Sequence, residues 1–366
     1  MRGRAGLRFT EGVCSHCRMI FLFLTLLVFA VLLQGCSLNP IENNFSHLRW
    51  PEPPAKARVS YQGFIRSSAD LKLERPNEWM EMLTGISASD KTARVFAKPY
   101  DVAAKKGYVI LSDTRKKTVH VFDFFRKKIF PIGWRNEGRL VFPLGVAIDD
   151  QLQFFVADSA SQRVVVYDKQ GHFLRVIGEG AEFSHLIDVA VQPKTNKVFL
   201  LDRGGIDSTA HRIAIFSKEG VFERYLGERG HRKGLFNHPN QLAFSRKGDL
   251  YVLDAGNFRV QVFSPDLQLL RVWGQQGDRY GDLARPRGLA VSDNDIILVS
   301  DAAFQKLLLF DAQGRLLLNV GNPGANKVGL FALPGGVAID EKNNIFFIDQ
   351  VLGRVEVLKL LTDASD

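Results

Sequence analysis

Cysteine is almost missing from this chain. Its three cysteines are Cys14, Cys17 and Cys36, so residues 37–366 hold no disulfide and no thiolate metal site. Catalytic signatures are missing too: there is no GxSxG, HExxH, P-loop or GxGxxG. The formal charge is +9, and four arginines against one glutamate in residues 1–35 supply a third of it. No basic helix or dense Lys/Arg tract accompanies that charge, which argues against a nucleic-acid partner. Long apolar runs are limited to Ile20–Leu33, 14 residues. That is short for a membrane span and suits a signal-peptide core.

What is present is a repeat. Tyr251–Phe263, YVLDAGNFRVQVF, reads as two antiparallel strands joined by a tight turn. Residues 155–167, 298–310 and 346–358 repeat it closely, and 110–122 and 200–216 repeat it loosely. The six aspartates Asp113, Asp158, Asp202, Asp254, Asp301 and Asp349 are spaced by 45, 44, 52, 47 and 48 residues. A strand-built period in the forties is the signature of a propeller or similar β-array. A short apolar strand precedes each hairpin, and five of the six open on Pro, which suits a strand's first residue. A Gly-ended fourth strand follows at 173–178, 222–227, 269–274 and 316–321. Middle strands such as Tyr251-Val252-Leu253 are apolar at successive positions, so both faces are covered. Radially stacked blades do this.

Cations follow four of the aspartates by five residues: Arg163, Arg259, Lys306 and Arg354. The expectation is turn capping and an exposed ion pair across each hairpin, worth roughly 0–1 kcal/mol, with no aspartate catalytic.

Outside the repeats, residues 1–35 read as a signal peptide and 36–57 as a Pro-rich tether. Residues 58–95 hold a closing strand, Arg58–Ile65, and a short helix at 76–85, and 96–366 form the propeller. Only seven residues follow Val355–Lys359, too few for another strand, so Arg58–Ile65 is expected to complete the last blade and remove an open sheet edge. Cys14-x-x-Cys17 is followed by Arg18, so it is not a haem-attachment site, and it would be lost with the signal. Met19 offers a second start.

Two resemblances follow from these motifs. Leu33-Gln34-Gly35-Cys36 resembles the lipobox of bacterial lipoproteins, with Gln34 in place of the usual small residue. It implies cleavage before Cys36 and lipid attachment there, and Ser37 after it is compatible with the outer membrane. An uncleaved anchor is the other reading. The unit P-x-G-[VL]-A, apolar-Asp, [RK]-V-x-V-F and a Gly-ended strand resembles the NHL repeat. Together the features resemble the bacterial NHL-repeat six-bladed β-propeller lipoproteins, over roughly residues 50–360. The resemblance implies an all-β monomeric ring in the cell envelope, facing the periplasm, with a non-catalytic binding or scaffold role as the commonest case. Related propellers include lactonases and a lyase that use a metal in the central channel.

Two places offer chemistry. At the channel mouth, Asp101, Asp188 and Gln241 occupy the position two after the strand-opening residue, where other blades carry Gly145, Gly288 and Gly336. Oxygen ligands from separate blades suit Ca²⁺; water-lined side chains are the plainer reading, and no other cofactor is expected. The second place is a surface. The long third-blade loops, 203–212 and 227–239, carry Arg203, His211, Arg212, Arg229, His231, Arg232, Lys233 and His238. Long loops on a rigid scaffold are common binding sites, and a basic patch suits an acidic protein or another anionic envelope ligand. The function expected is a lipid-anchored envelope binding module; a channel-metal lactonase or lyase is the alternative.

Overall fold

In the computed structural model, residues 47–66, 95–126 and 128–361 are described. The segments expected to hold the signal peptide, Cys36 and the helix at 76–85 lie outside them. The described chain is all-β, with six blades. Blade 1 comprises Pro99–Lys105, Tyr108–Asp113, Thr118–Asp123 and Lys128–Ile132. Blades 2 to 5 repeat this antiparallel order. Each inner strand packs on the inner strand of the next blade, and blade 6 packs on blade 1, which closes the ring.

The alternation inside each blade explains the continuous apolar runs. Six hydrophobic clusters lie between adjacent blades rather than in one common centre. Val252 belongs to the cluster between blades 3 and 4, while its neighbours Tyr251 and Leu253 belong to the one between blades 4 and 5. A strand buried on both faces has no wet side to alternate toward.

Ring closure follows the sequence expectation. Val59–Ile65 pairs with Arg354–Leu360 as the fourth strand of blade 6. Its Tyr61 hydroxyl donates to Glu356 Oε2 at 2.5 Å, and Arg354 Nε donates to Glu356 Oε1 at 2.5 Å. Burial pushes the Glu356 carboxyl up to about 6. Part of the expected tether belongs to the fold: Arg49–Trp50 adds a two-residue fifth strand, and Trp50 is buried between blades 5 and 6. The outer strand of blade 1, Lys128–Ile132, has Pro131 near its end, tolerated on an edge strand.

The hairpin aspartates correct one expectation. All six are fully buried. Asp254 alone, among the described residues, forms the ion pair with its following cation, Arg259, at 2.8 Å. The others spend their oxygens on backbone N–H groups. Asp301, for example, accepts from Ala284 and Arg285 N–H in the incoming loop and from Ala303 and Phe304 N–H in the turn. Each aspartate ties the loop entering its blade to the hairpin beside it. Buried N–H groups need acceptors, and a carboxylate supplies several.

Candidate functional site: the channel mouth and the loops around it

Inner strands start at one end of the ring, so the residues just after their first position meet around the axis. Asp101, Asp188 and Gln241 do meet there, and each clamps the neighbouring blade. Asp101 Oδ2 accepts from Val146 N–H of blade 2 at 3.0 Å. Asp188 Oδ2 accepts from Leu242 N–H of blade 4 at 2.7 Å. Gln241 Oε1 accepts from Leu289 N–H of blade 5 at 2.7 Å. Gln241 Nε2 then reaches across the axis to donate to Asp101 Oδ1 at 2.9 Å.

Blades 2, 5 and 6 carry glycine at this position for steric reasons. A Cβ on Gly145 would lie 2.5 Å from Asp188 Cα, and one on Gly336 would lie 2.8 Å from Asp101 Cα. The free space left in this ring of clamps is about 10 Å³, roughly one water. Below it the channel opens into a well of about 710 Å³ at the other end of the ring.

Burial raises both carboxyls. Asp101 is pushed up to about 7 against the pull of its N–H donors. Asp188 is pushed well above the carboxylate range, first by burial and then by Asp101. No cluster of three or more His, Cys, Asp or Glu among the described residues is placed to hold a metal. A cation here would draw on two carboxyls and an amide, all engaged with neighbouring blades.

Cations gather just above this ring. Arg287 of blade 5 lines the mouth with Tyr100 and Asn240. Its guanidinium donates to Gln350 Oε1 at 3.4 Å, and Gln350 Nε2 donates to Pro99 O at 3.3 Å. Burial lowers the Arg287 pKa, and the charges of Arg285 and Arg203 lower it further. Burial raises Tyr100, with Arg287 and Arg203 acting against it. Burial also lowers His185 and His238, and Arg203 acts on both. Arg287 thus lines the mouth itself, and the charges of Arg203 and Arg285 lie close enough to act on it.

The eight loop residues expected to form one patch divide into groups. The charges of Arg203 and Arg229 both act on His238, and Arg229 donates to Ile206 O at 2.6 Å. His211 is fully buried: its Nδ1 accepts from His238 N–H at 3.1 Å and its ring lies tilted against that of His238, with centroids 4.6 Å apart. It props the loop and offers nothing to a ligand. Arg212 turns outward onto the Tyr225 ring at 3.7 Å. His231, Arg232 and Lys233 form an exposed tip over blade 4. Arg259 holds that tip by donating to the His231, Arg232 and Leu235 carbonyls. His231 and His238 thus belong to different groups. Tyr100 in the mouth lining, and the charge of Arg285 acting on Arg287, are what sequence reasoning missed. The pattern Arg285-Pro286-Arg287 was the available signal, two cations flanking a strand-opening proline.

Comparison with known proteins agrees with this architecture. No curated protein matches the chain. Virginiamycin B lyase from Staphylococcus aureus is similar in structure, with TM-score 0.52 and 12% identity, over 72% of this chain and 95% of that one. A gluconolactonase from Xanthomonas campestris has TM-score 0.54 and 16% identity, over 73% and 87%. Hydrazine synthase from Kuenenia stuttgartiensis has TM-score 0.54 and 13% identity, over 77% and 89%. At such identities the likeness concerns the fold. The NHL repeat model matches residues 140–167 and 236–263, in blades 2 and 4. The chain is a six-bladed β-propeller that carries NHL repeats.

Proposed function

We propose that this propeller is a non-catalytic binding module of the bacterial cell envelope, anchored through a lipid on Cys36, that docks an anionic partner on its loop-bearing face. The carrying observation is the mouth itself. Arg287 lines it and feels the charges of Arg203 and Arg285, above an axis whose Asp101, Asp188 and Gln241 are committed to clamping blades. Clustered cations raise one another's energy, and an anion relieves it. Planar guanidinium groups favour carboxylates in paired hydrogen bonds, so an acidic protein segment suits the mouth best. Export is inferred from Arg2, Arg4, Arg8 and Arg18 before Ile20–Leu33 and from the Leu33–Cys36 motif.

The test is photo-crosslinking from Ile206, 80% exposed beside Arg229, in native envelopes. Wild type is compared with Arg203→Glu/Arg285→Glu. Loss of a single crosslinked protein in the variant supports the reading; the same crosslinks in both would overturn it.

The second reading is a channel-metal lactonase or lyase. Two buried carboxyls on the axis favour it, as do structural relatives named for lyase and lactonase activities. It predicts a heat of Ca²⁺ binding that Asp188→Asn abolishes. Absence of that heat removes it.

A further inference from the structure

The opposite end of the ring carries a different kind of surface. The turn that joins the last two strands of blade 1 reads Asp123-Phe124-Phe125-Arg126-Lys127-Lys128. Phe124 is 45% exposed and Phe125 73% exposed. Two adjacent phenylalanines in water are costly, and here the turn is built to hold them out. Asp123 Oδ1 accepts from both Phe125 and Arg126 N–H at 3.0 Å. Phe124 N–H donates to Gly107 O at 3.1 Å, which fixes the turn against its neighbour. Beside the pair runs an apolar groove of about 780 Å³, whose walls include Phe64, Tyr108, Phe346 and Val357.

Five cations and four acids mark this corner, and each acid is tied to the corner's own backbone N–H groups or basic side chains. Lys105, Lys106, Arg126 and Lys128 belong to this corner, and Lys342 lies across the groove. The nearby acids are engaged. Asp123 caps the turn and lies 3.8 Å from Arg126. Asp340 accepts from Lys342 and Asn344 N–H. Glu341 accepts from Lys106 N–H, and Asp150 pairs with Lys105 at 2.7 Å.

We infer that this corner of blade 1 rests on an anionic phospholipid bilayer, with Phe124 and Phe125 inserted at the headgroup boundary and the surrounding cations on lipid phosphates. Aromatic side chains ringed by Lys and Arg are the composition of interfacial membrane contacts. A neutral protein partner would leave the cations unused; an acidic one would leave the phenylalanines unused. The proposal goes beyond the loop-face reading and lies at the other end of the ring, so either can fail alone.

The experiment uses the full chain with Phe125→benzoylphenylalanine, in vesicles of phosphatidylcholine with or without phosphatidylglycerol. The control carries the same probe at Tyr280, also 73% exposed but at the loop-bearing end. The expected result is lipid adducts at position 125 at least tenfold above position 280, increased by phosphatidylglycerol. Arg126→Ala and Lys128→Ala should each weaken the anionic-lipid dependence about fivefold, the equivalent of ~1 kcal/mol per cation. Equal yields at 125 and 280, indifference to phosphatidylglycerol, or adducts to protein alone in native envelopes would overturn it.

Discussion

Gln241 Nε2 donates to Asp101 Oδ1 across the channel axis at 2.9 Å, joining two residues 140 positions apart. The bond links blade 1 to blade 4, directly opposite in a ring of six. It also orders the amide. Gln241 Oε1 must face Leu289 N–H, so only Nε2 is left for Asp101. Asp101→Asn is therefore not a mild change. The new amide would set an NH₂ against either Gln241 Nε2 or Val146 N–H. The expected cost is ~1–3 kcal/mol, as for other buried donors left without an acceptor. Chemical denaturation checks it, and Gln241→Glu should be worse than Gln241→Ala because it adds a third buried carboxyl.

The same pair predicts an unusual response to pH. Asp101 and Asp188 are raised above the ordinary carboxylate range by burial, so the folded state binds protons more tightly than the unfolded state. Their stabilising contribution is full below the unfolded value of about 4; that of Asp101 is lost as pH rises through about 7, and that of Asp188 as pH rises through its own raised value. Glu356, raised to about 6 by burial, acts in the same direction. Asp150, Asp168 and Asp311 are lowered and act oppositely, losing their contribution under more acidic conditions. The melting temperature should thus be higher near pH 5 than near pH 8. Asp188→Asn should flatten that slope, and a slope unchanged in the variant would exclude the pair as its source.

Packing around the clamps gives a steric prediction. Gly336→Ala would place a methyl 2.8 Å from Asp101 Cα, a backbone atom that cannot rotate away. Overpacking of this kind costs ~1–3 kcal/mol. At Gly234 nothing lies within 4 Å of a new Cβ, but φ is +84°, so Gly234→Ala should cost only the backbone strain, ~1 kcal/mol. Urea midpoints of the two variants, read with equal m-values, separate the two causes.

The ring was legible in the sequence because each blade repeats the same physical need: an Asp to cap the incoming loop, and apolar residues on both faces. The closing strand was legible from what blade 6 lacked. Burial of the six aspartates was not. Their five-residue spacing to a cation suggested exposed pairs, and the N–H donors lie some 16 or 17 residues upstream. Trp50 was read as tether because prolines surround it; only packing between blades 5 and 6 shows its place. The cationic mouth was half legible. Arg203 was visible on its long loop and Arg287 beside a strand-opening proline, but Tyr100 meets Arg287 only once the ring closes. His211 looked like a surface ligand because the insertion that carries it folds back over its ring.

Arg259 separates support from contact at the docking face. Its guanidinium touches Asp254 at 2.8 Å and three carbonyls of the loop 231–235, and only a small part of it meets solvent. Arg259→Ala frees those carbonyls and leaves Asp254 with Asn257, Gln261 and Asn237 N–H as donors. Breaking one partner of a buried pair should cost ~3 kcal/mol. Amide exchange in residues 229–236 should accelerate more than exchange in the blade 4 strands, since the loop loses its anchor while the strand ladder stays intact. If the exposed tip Arg232-Lys233 contributes to docking, partner crosslinking from Ile206 should weaken in Arg259→Ala and persist in Arg212→Ala, whose side chain is held on the Tyr225 ring and by Glu182 O.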